Sequence, residues 1–225
     1  MDCATILKTL KAHSNPKNVG GMARFGINPL NTLGVPIPIL RKMARKVGKD
    51  HRLASELWSS GIHEARILAS MVDDPKLVTE KQMDRWAKDF DSWDVCDQVC
   101  SNLFRDTPFG WPKALEWSGK AQEFVKRAGF VLMAVLPVRE KKAGDERFER
   151  FLPIIEREAN DERNFVRKAV NWALRQIGKR NKHLNKKAVA TAKRIARLDS
   201  KSARWIARDA LRELEGDAVQ RRLRA

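Results

Sequence analysis

Disulfide spacings, long apolar runs and strand patterns are all scarce in this sequence of 225 residues, which also contains no tyrosine. The three cysteines, Cys3, Cys96 and Cys100, are an odd number without a framework spacing, which excludes a disulfide scaffold. Cys96 and Cys100 stand one helical turn apart with no histidine near them in sequence, so two small core residues describe them better than a metal site. The N-terminal MDCATILKTLKAH has no apolar core of a signal segment, and no stretch approaches a membrane span. A soluble, cytoplasmic protein of a reducing compartment is therefore expected. The four histidines, His13, His51, His63 and His183, are scattered, and no HExxH, Walker-type or GxGxxG motif occurs. No metal, nucleotide or nucleophile site is legible, and no cofactor is expected.

What is abundant is positive charge. The formal net charge is +17 and the isoelectric point about 10.2. The charge is unevenly placed: residues 1–112 carry 16 Lys and Arg against 13 Asp and Glu, whereas residues 113–225 carry 29 against 15. Between 163 and 212 there are 16 basic residues and only Asp199 and Asp209 as acids. A surface that serves solubility alone mixes its signs, so a polyanionic partner, nucleic acid above all, is indicated. A membrane surface fits less well, because these basic helices lack a long exposed apolar face.

A hydrophobic content of 43% is ample for a core, and the chain is expected to form a single domain over 1–225. Helical periodicity predicts helices at 2–12, 18–25, 37–48, 51–60, 62–72, 79–90, 92–106, 111–118, 121–136, 145–159, 162–180, 185–198 and 201–214. Asp2 and Thr79 serve as N-caps, Pro38 falls in a first turn, and Gly178 and Gly216 lie near helix ends. A weak repeat runs through the chain. "FVKRAGFVL" (124–132) superposes on "FVRKAVNWA" (165–173) at a spacing of 41, placing Arg127 over Lys168. "SARWIARDAL" (202–211) puts Arg204 in the same role 36 further on, and "EARILASMV" (64–72) offers Arg66 as an earlier copy. Periods near forty with two helices each point to an all-α superhelical solenoid of antiparallel HEAT-like pairs, its basic residues lining a concave groove.

Three helices carry residues that fit their apolar arcs poorly. In 162–180 the arc is Val166, Ala169, Val170, Ala173, Leu174 and Ile177; Trp172 lies outside it among Lys168, Arg175 and Lys179. It either packs against a neighbouring repeat or meets a ligand in a basic groove, where bases and sugars are natural targets. Helix 121–136 is apolar on nearly every side. Its Arg127 must therefore pair with a carboxylate, for which Asp97 is a candidate, or face a phosphate. In 92–106, Trp93 and Asp97 share the margin of an arc made by Val95, Cys96, Val99, Cys100 and Leu103. A full negative charge beside an indole face suits a positively charged transition state.

Together, "MARF" (22–25), "LGVPIP" (33–38), "SWDVCDQV" (92–99), "VKRAGFVLM" (125–133) and "VRKAVNWALR" (166–175) resemble, in order and spacing, the motifs of the AlkD-like DNA alkylation repair glycosylases. The resemblance spans about residues 5 to 215. It implies an all-α superhelix of HEAT-like repeats that excises positively charged N3- or N7-alkylated bases from duplex DNA, as a monomer, without metal or cofactor. It also implies that Trp93 and Trp172 frame the lesion's sugar, that Asp97 is the catalytic carboxylate and that Arg127 anchors the backbone. Phe25, Arg41, Arg167, Lys168, Arg175, Lys179 and Arg204 join Arg127 as candidate DNA contacts, with the basic side chains of the later helices facing solvent. Where the family commonly has tyrosine after "MAR", this chain has Phe25, so a hydroxyl contact is lost while ring stacking is retained. The alternative is a non-catalytic HEAT-like module that binds DNA or RNA through the same groove; a protein-binding scaffold leaves the basic segment without a purpose.

Overall fold

A computed structural model describes residues 1–224, and its backbone is helical with no strand among them. The chain divides into two units, Met1–Phe109 and Gly110–Ala225. The first holds α1 (Cys3–Ala12), α2 (Pro16–Arg24), α3 (Ile37–Val47), α4 (His51–Ser59), α5 (His63–Val72), α6 (Glu80–Lys88) and α7 (Trp93–Asn102). The second holds α8 (Gly110–Trp117), α9 (Glu123–Arg139), α10 (Asp145–Glu149), α11 (Leu152–Arg157), α12 (Asn164–Gly178), α13 (Lys182–Ile195), α14 (Lys201–Leu214) and α15 (Asp217–Arg224).

In the first unit α5 is the hub, packed against α3, α4 and α7. It is buried along nearly its whole length, from His63 to Val72. Beside it Trp58 and Trp86 stack with ring centroids 3.9 Å apart, and the Trp58 indole N–H donates to Asp89 at 2.8 Å. In the second unit the hub is α9, whose residues from Val125 to Pro137 are all buried. A helix apolar on every side has no solvent face, so it must be surrounded; α8 and α12 flank it, and α13 and α14 pack on α12. Gly129 lets α8 approach. A Cβ there would stand 2.5 Å from the backbone nitrogen of Ser118 and 3.0 Å from its Cα, so no side chain fits.

The near-forty sequence period reappears as polar links between neighbouring copies. Asn171 donates to Asp209 and Arg175 to Glu213, each across 38 residues. Ser202 Oγ donates to the Asp161 carbonyl across 41 residues, and Arg180 to the Lys141 carbonyl across 39. In the first unit the corresponding links are shorter in sequence, 31 residues for Trp58–Asp89 and for His63–Asp94.

The helices differ from expectation at several places. The single helix expected over 145–159 is broken into α10, α11 and a 3-10 turn at Glu158–Asn160. Pro153 sits in the first turn of α11, where its missing N–H costs nothing, and so begins a new helix. The one expected over 92–106 ends at Asn102, because Leu103 leaves helical geometry (φ −131°, ψ −64°) before a 3-10 turn at Phe104–Asp106. α9 runs on through Pro137 to Arg139: the proline gives up one i→i−4 bond, while the Glu140 N–H still donates to the Leu136 carbonyl at 2.8 Å. α13 begins three residues early, at Lys182, because Asn181 caps it by accepting from the Leu184 N–H at 2.9 Å. α15 was not anticipated at all.

The closeness of α8 and α9 is testable. Gly129→Ala should destabilise the protein by about 1–3 kcal/mol, the usual range for overpacking, read as a lowered urea midpoint. A midpoint equal to wild type would show that the helices can part without cost.

Candidate nucleic-acid interface

In the first unit the site is built around the start of α7. Ser92, fully buried, precedes the helix, and its Oγ accepts from the Asn28 N–H at 2.9 Å instead of capping α7. The Asn28 amide donates onward to Asp91, also at 2.9 Å. Trp93 is the first helical residue and is partly exposed; its indole N–H donates to the Phe25 carbonyl at 3.0 Å, which fixes the ring's orientation. Asp97 follows one turn later, also partly exposed. The apolar arc of α7 is buried as expected, from Val95 through Leu103, so Trp93 and Asp97 do stand at its margin. Phe25 is 75% exposed, and its ring is free to stack on a ligand while its backbone oxygen serves Trp93.

The loop that presents Phe25 is held by a residue the sequence reading passed over. Glu64, 1% exposed in the first turn of α5, accepts from the backbone N–H groups of Leu33 (2.9 Å), Gly34 (2.6 Å) and Val35 (3.2 Å). Those amides belong to the "LGVPIP" segment, and Gly34 takes φ +78°, where a Cβ would lie 2.3 Å from the Asn15 carbonyl oxygen. Next to Glu64, His63 Nε2–H donates to Asp94 at 2.9 Å, tying α5 to the first turn of α7. Burial works against the imidazolium, but the hydrogen bond and charge of Asp94, with Glu64 and Asp91 behind it, outweigh it and raise the His63 pKa above its ordinary value. The available signal was an acid and a histidine opening an otherwise apolar helix. Arg66, two residues further on, is expected among the groove's basic residues. Arg66 instead lies over the Trp58 ring and donates to the Asp89 carbonyl at 3.0 Å, a packing role. Arg41 is exposed on α3, opposite the buried Leu40 and Met43.

In the second unit Arg127 is only 5% exposed and donates to the Phe165 carbonyl in the first turn of α12. Its neighbour Lys126 pairs with Glu158 at 2.5 Å and Asp161 at 2.9 Å. Burial pushes the Asp161 carboxyl up, yet Arg163 and Lys126 prevail and hold it well below the usual carboxylate range. On α12 the expected arc is wholly buried, and Trp172, outside it, is partly exposed. Lys168 is exposed one turn before it, while the Arg167 guanidinium lies 5.2 Å from the centroid of Trp205, an aromatic on α14 not singled out from sequence. Arg204 is exposed and pairs with Asp199 at 3.1 Å.

Arg175 and Lys179 do not face solvent as expected. Both bind Glu213, Lys179 at 2.6 Å, and Arg175 also lies 3.6 Å from Asp209. Glu213 sits one residue past the acid-poor window that made this segment look unbalanced, and its partner charges lower its pKa against the effect of burial. Lys168 and Arg204 are the more accessible cations of the group.

A family model described as "DNA alkylation repair enzyme" matches residues 6–214. The chain belongs to this DNA alkylation repair family. Its fold is also that of a solved structure described as "a new family of proteins related to the HEAT-like repeat DNA glycosylases with affinity for branched DNA structures". The two share 21% identity with a TM-score of 0.78, over 95% of this chain and 96% of the other. No curated protein matches the sequence. Within this family member no helix among the described residues is long and apolar enough to cross a membrane.

The His63–Asp94 pair makes stability depend on pH in a defined direction. A histidine whose pKa is raised by folding contributes fully below its unfolded value, about 6.5, and the contribution is lost as pH rises through the folded value. Chemical denaturation should therefore show wild type ahead of His63→Gln at pH 6 and the gap closing toward pH 8.5. A gap constant across that range would mean that the pair carries no proton-linked stability.

Proposed function

We propose that the protein is a DNA glycosylase that hydrolyses the N-glycosidic bond of positively charged N3- or N7-alkylated bases in duplex DNA. The observation that carries this is the Trp93–Asp97 pair. An indole whose orientation is set by the Phe25 carbonyl stands one turn from a partly exposed carboxylate, on a helix start held by Ser92, His63 and Asn28. Membership of a DNA alkylation repair family supports alkylated DNA as the substrate class.

The chemistry asks little of acids or metals. An N-alkylated purine already carries a positive charge, so cleavage of its bond to C1′ releases a neutral base and leaves the charge on the sugar. Water then adds to C1′ and loses a proton. The protein's task is to stabilise the oxocarbenium-like sugar and orient that water. A carboxylate about 4 Å from a unit positive charge gains roughly 4 kcal/mol at an effective dielectric near 20. Felt mainly in the transition state, that is on the order of 10³ in rate. Asp97 has this role; the faces of Trp93 and Trp172 attract the same cation. Arg127, only 5% exposed and donating to the Phe165 carbonyl, supports the DNA surface by fixing the start of α12, and Phe25, Arg41, Arg167, Lys168, Arg175, Lys179 and Arg204 complete that surface, Arg175 and Lys179 in exchange with Glu213. Phenylalanine at 25 is compatible with this reading, because the contact that positions Trp93 comes from the backbone. The protein acts as a monomer in the cytoplasm, as one domain.

A second reading has an observation in its favour. The structural neighbour is described by affinity for branched DNA, not by base excision, and a non-catalytic DNA-binding module would use the same basic side chains.

Asp97→Asn separates the two. It keeps shape and hydrogen-bonding capacity while deleting the charge, so DNA affinity should stay within about twofold and single-turnover base release should fall by about 10² to 10³. Release at the wild-type rate by folded Asp97→Asn would remove Asp97 from catalysis.

A further inference from the structure

α15 forms one wall of a cavity. Between it and the C-terminal ends of α9 and α12 lies an open space of about 650 Å³, lined by Lys141, Lys179, Arg180 and Arg222, with no carboxylate and no aromatic ring in its wall. Pockets of this size that take small organic ligands are mostly apolar and aromatic-lined, with a few placed polar groups. This one is cationic instead.

Two of the cations are spent on making the wall positive. Helix C-termini present unsatisfied carbonyls and a partial negative charge, which would repel an anion. Here Arg180 donates to the carbonyls of Pro137 (2.7 Å), Lys141 (3.0 Å) and Ala143 (2.8 Å), covering the end of α9. Arg222, from α15, donates to the carbonyl of Lys179, the C-cap of α12. An entering anion meets guanidinium where it would otherwise meet carbonyl oxygen. Lys179 is turned toward Glu213 and Arg180 lies 3.9 Å from Asp145, so these two charges are partly balanced from outside the cavity. Lys141 and Arg222 have no carboxylate within ion-pair distance among the described residues, and both are exposed. Gln176 adds an amide to the wall, and Arg221 and Arg224 on the exposed side of α15 strengthen the field.

We infer that this cavity is a phosphate site that holds the phosphodiester backbone of bound DNA. The absence of aromatic rings suits backbone and not bases, and the open mouth suits a chain and not an isolated ion. Lys179 is eleven residues beyond Lys168 on α12, roughly 16 Å at 1.5 Å per residue. Trp172 is seven residues before Lys179, roughly 10 Å along the axis, so backbone held here lies about two turns from it and contributes affinity without touching the reacting sugar. That the polyanion is DNA rests on the proposed function; the preference for phosphate rests on the cavity's own wall.

The test is charge reversal at Lys141 and Arg222. Binding of a fluorescent 25-base-pair undamaged duplex is followed by anisotropy at several salt concentrations, beside single-turnover base release at saturating protein. Lys141→Glu/Arg222→Glu should weaken binding about tenfold and lower the log–log salt slope by about two, one for each lost phosphate contact, with release within twofold of wild type. Lys141→Glu alone, which sacrifices no hydrogen bond of the fold, should give about half of both effects and guards against a variant that merely loosens α15. Unchanged affinity and slope in folded variants would overturn the inference. So would titration of inorganic phosphate into the cavity, seen by NMR and lost in the variants, if duplex binding is unaffected; the site would then take small anions. Wild-type protein that releases no base but still loses two units of slope on charge reversal would sink the glycosylase reading and leave this site standing.

Discussion

The second unit depends on one constraint: α9 is apolar on every side and can exist only inside other helices. Val125 through Pro137 are buried without a break, and each contributes roughly 25 cal/mol for every Å² of apolar surface removed from water. Two charged side chains go in with them. Lys126 is satisfied by Glu158 and Asp161, and Arg127 donates to a backbone carbonyl of α12. Neither could be buried bare. The helix that organises the core therefore also fixes the start of α12, and so the placement of Lys168 and Trp172 along it.

The first unit solves a different problem, holding an irregular loop still. Residues between α2 and α3 have few regular hydrogen bonds of their own, and the chain supplies partners from a distance: Glu64 for three successive amides, Ser92 for the Asn28 N–H, and the His63 N–H for the Asn31 carbonyl. The same contacts lock the beginning of α7. Trp93 and Asp97 are thereby attached to an element with little freedom to rearrange, which is what an electrostatic site needs if its dipoles and charges are to cost no reorganisation during the reaction.

Much of this was legible in the sequence because burial follows helical period. The arcs of α7 and α12 were read residue by residue, and the all-helical, HEAT-like repeat fold followed from the near-forty spacing. What escaped has physical causes. α15 is strongly polar and only eight residues long, with only Val219 buried, so its short apolar face of Val219 and Leu223 does not stand out in the sequence. It is held by Arg222 on the Lys179 carbonyl and by Gln220 on Asn185 and the Leu214 carbonyl. Glu64, His63 and Asp94 form contacts some 30 residues apart in sequence, and nothing local marks them as partners. Glu213 escaped because it ends a basic segment instead of lying within it, yet it claims two of the cations assigned to DNA.

The most direct measurement is on the wild-type protein: duplex DNA treated with a methylating agent is incubated with it, and the released material is separated and identified by mass. Free N3-methyladenine or N7-methylguanine, accumulating with protein concentration and leaving abasic sites behind, is the result this account predicts. Tight, salt-sensitive binding to the same duplex with no base released above the spontaneous rate would contradict it and leave a DNA-binding member of the family without glycosylase chemistry.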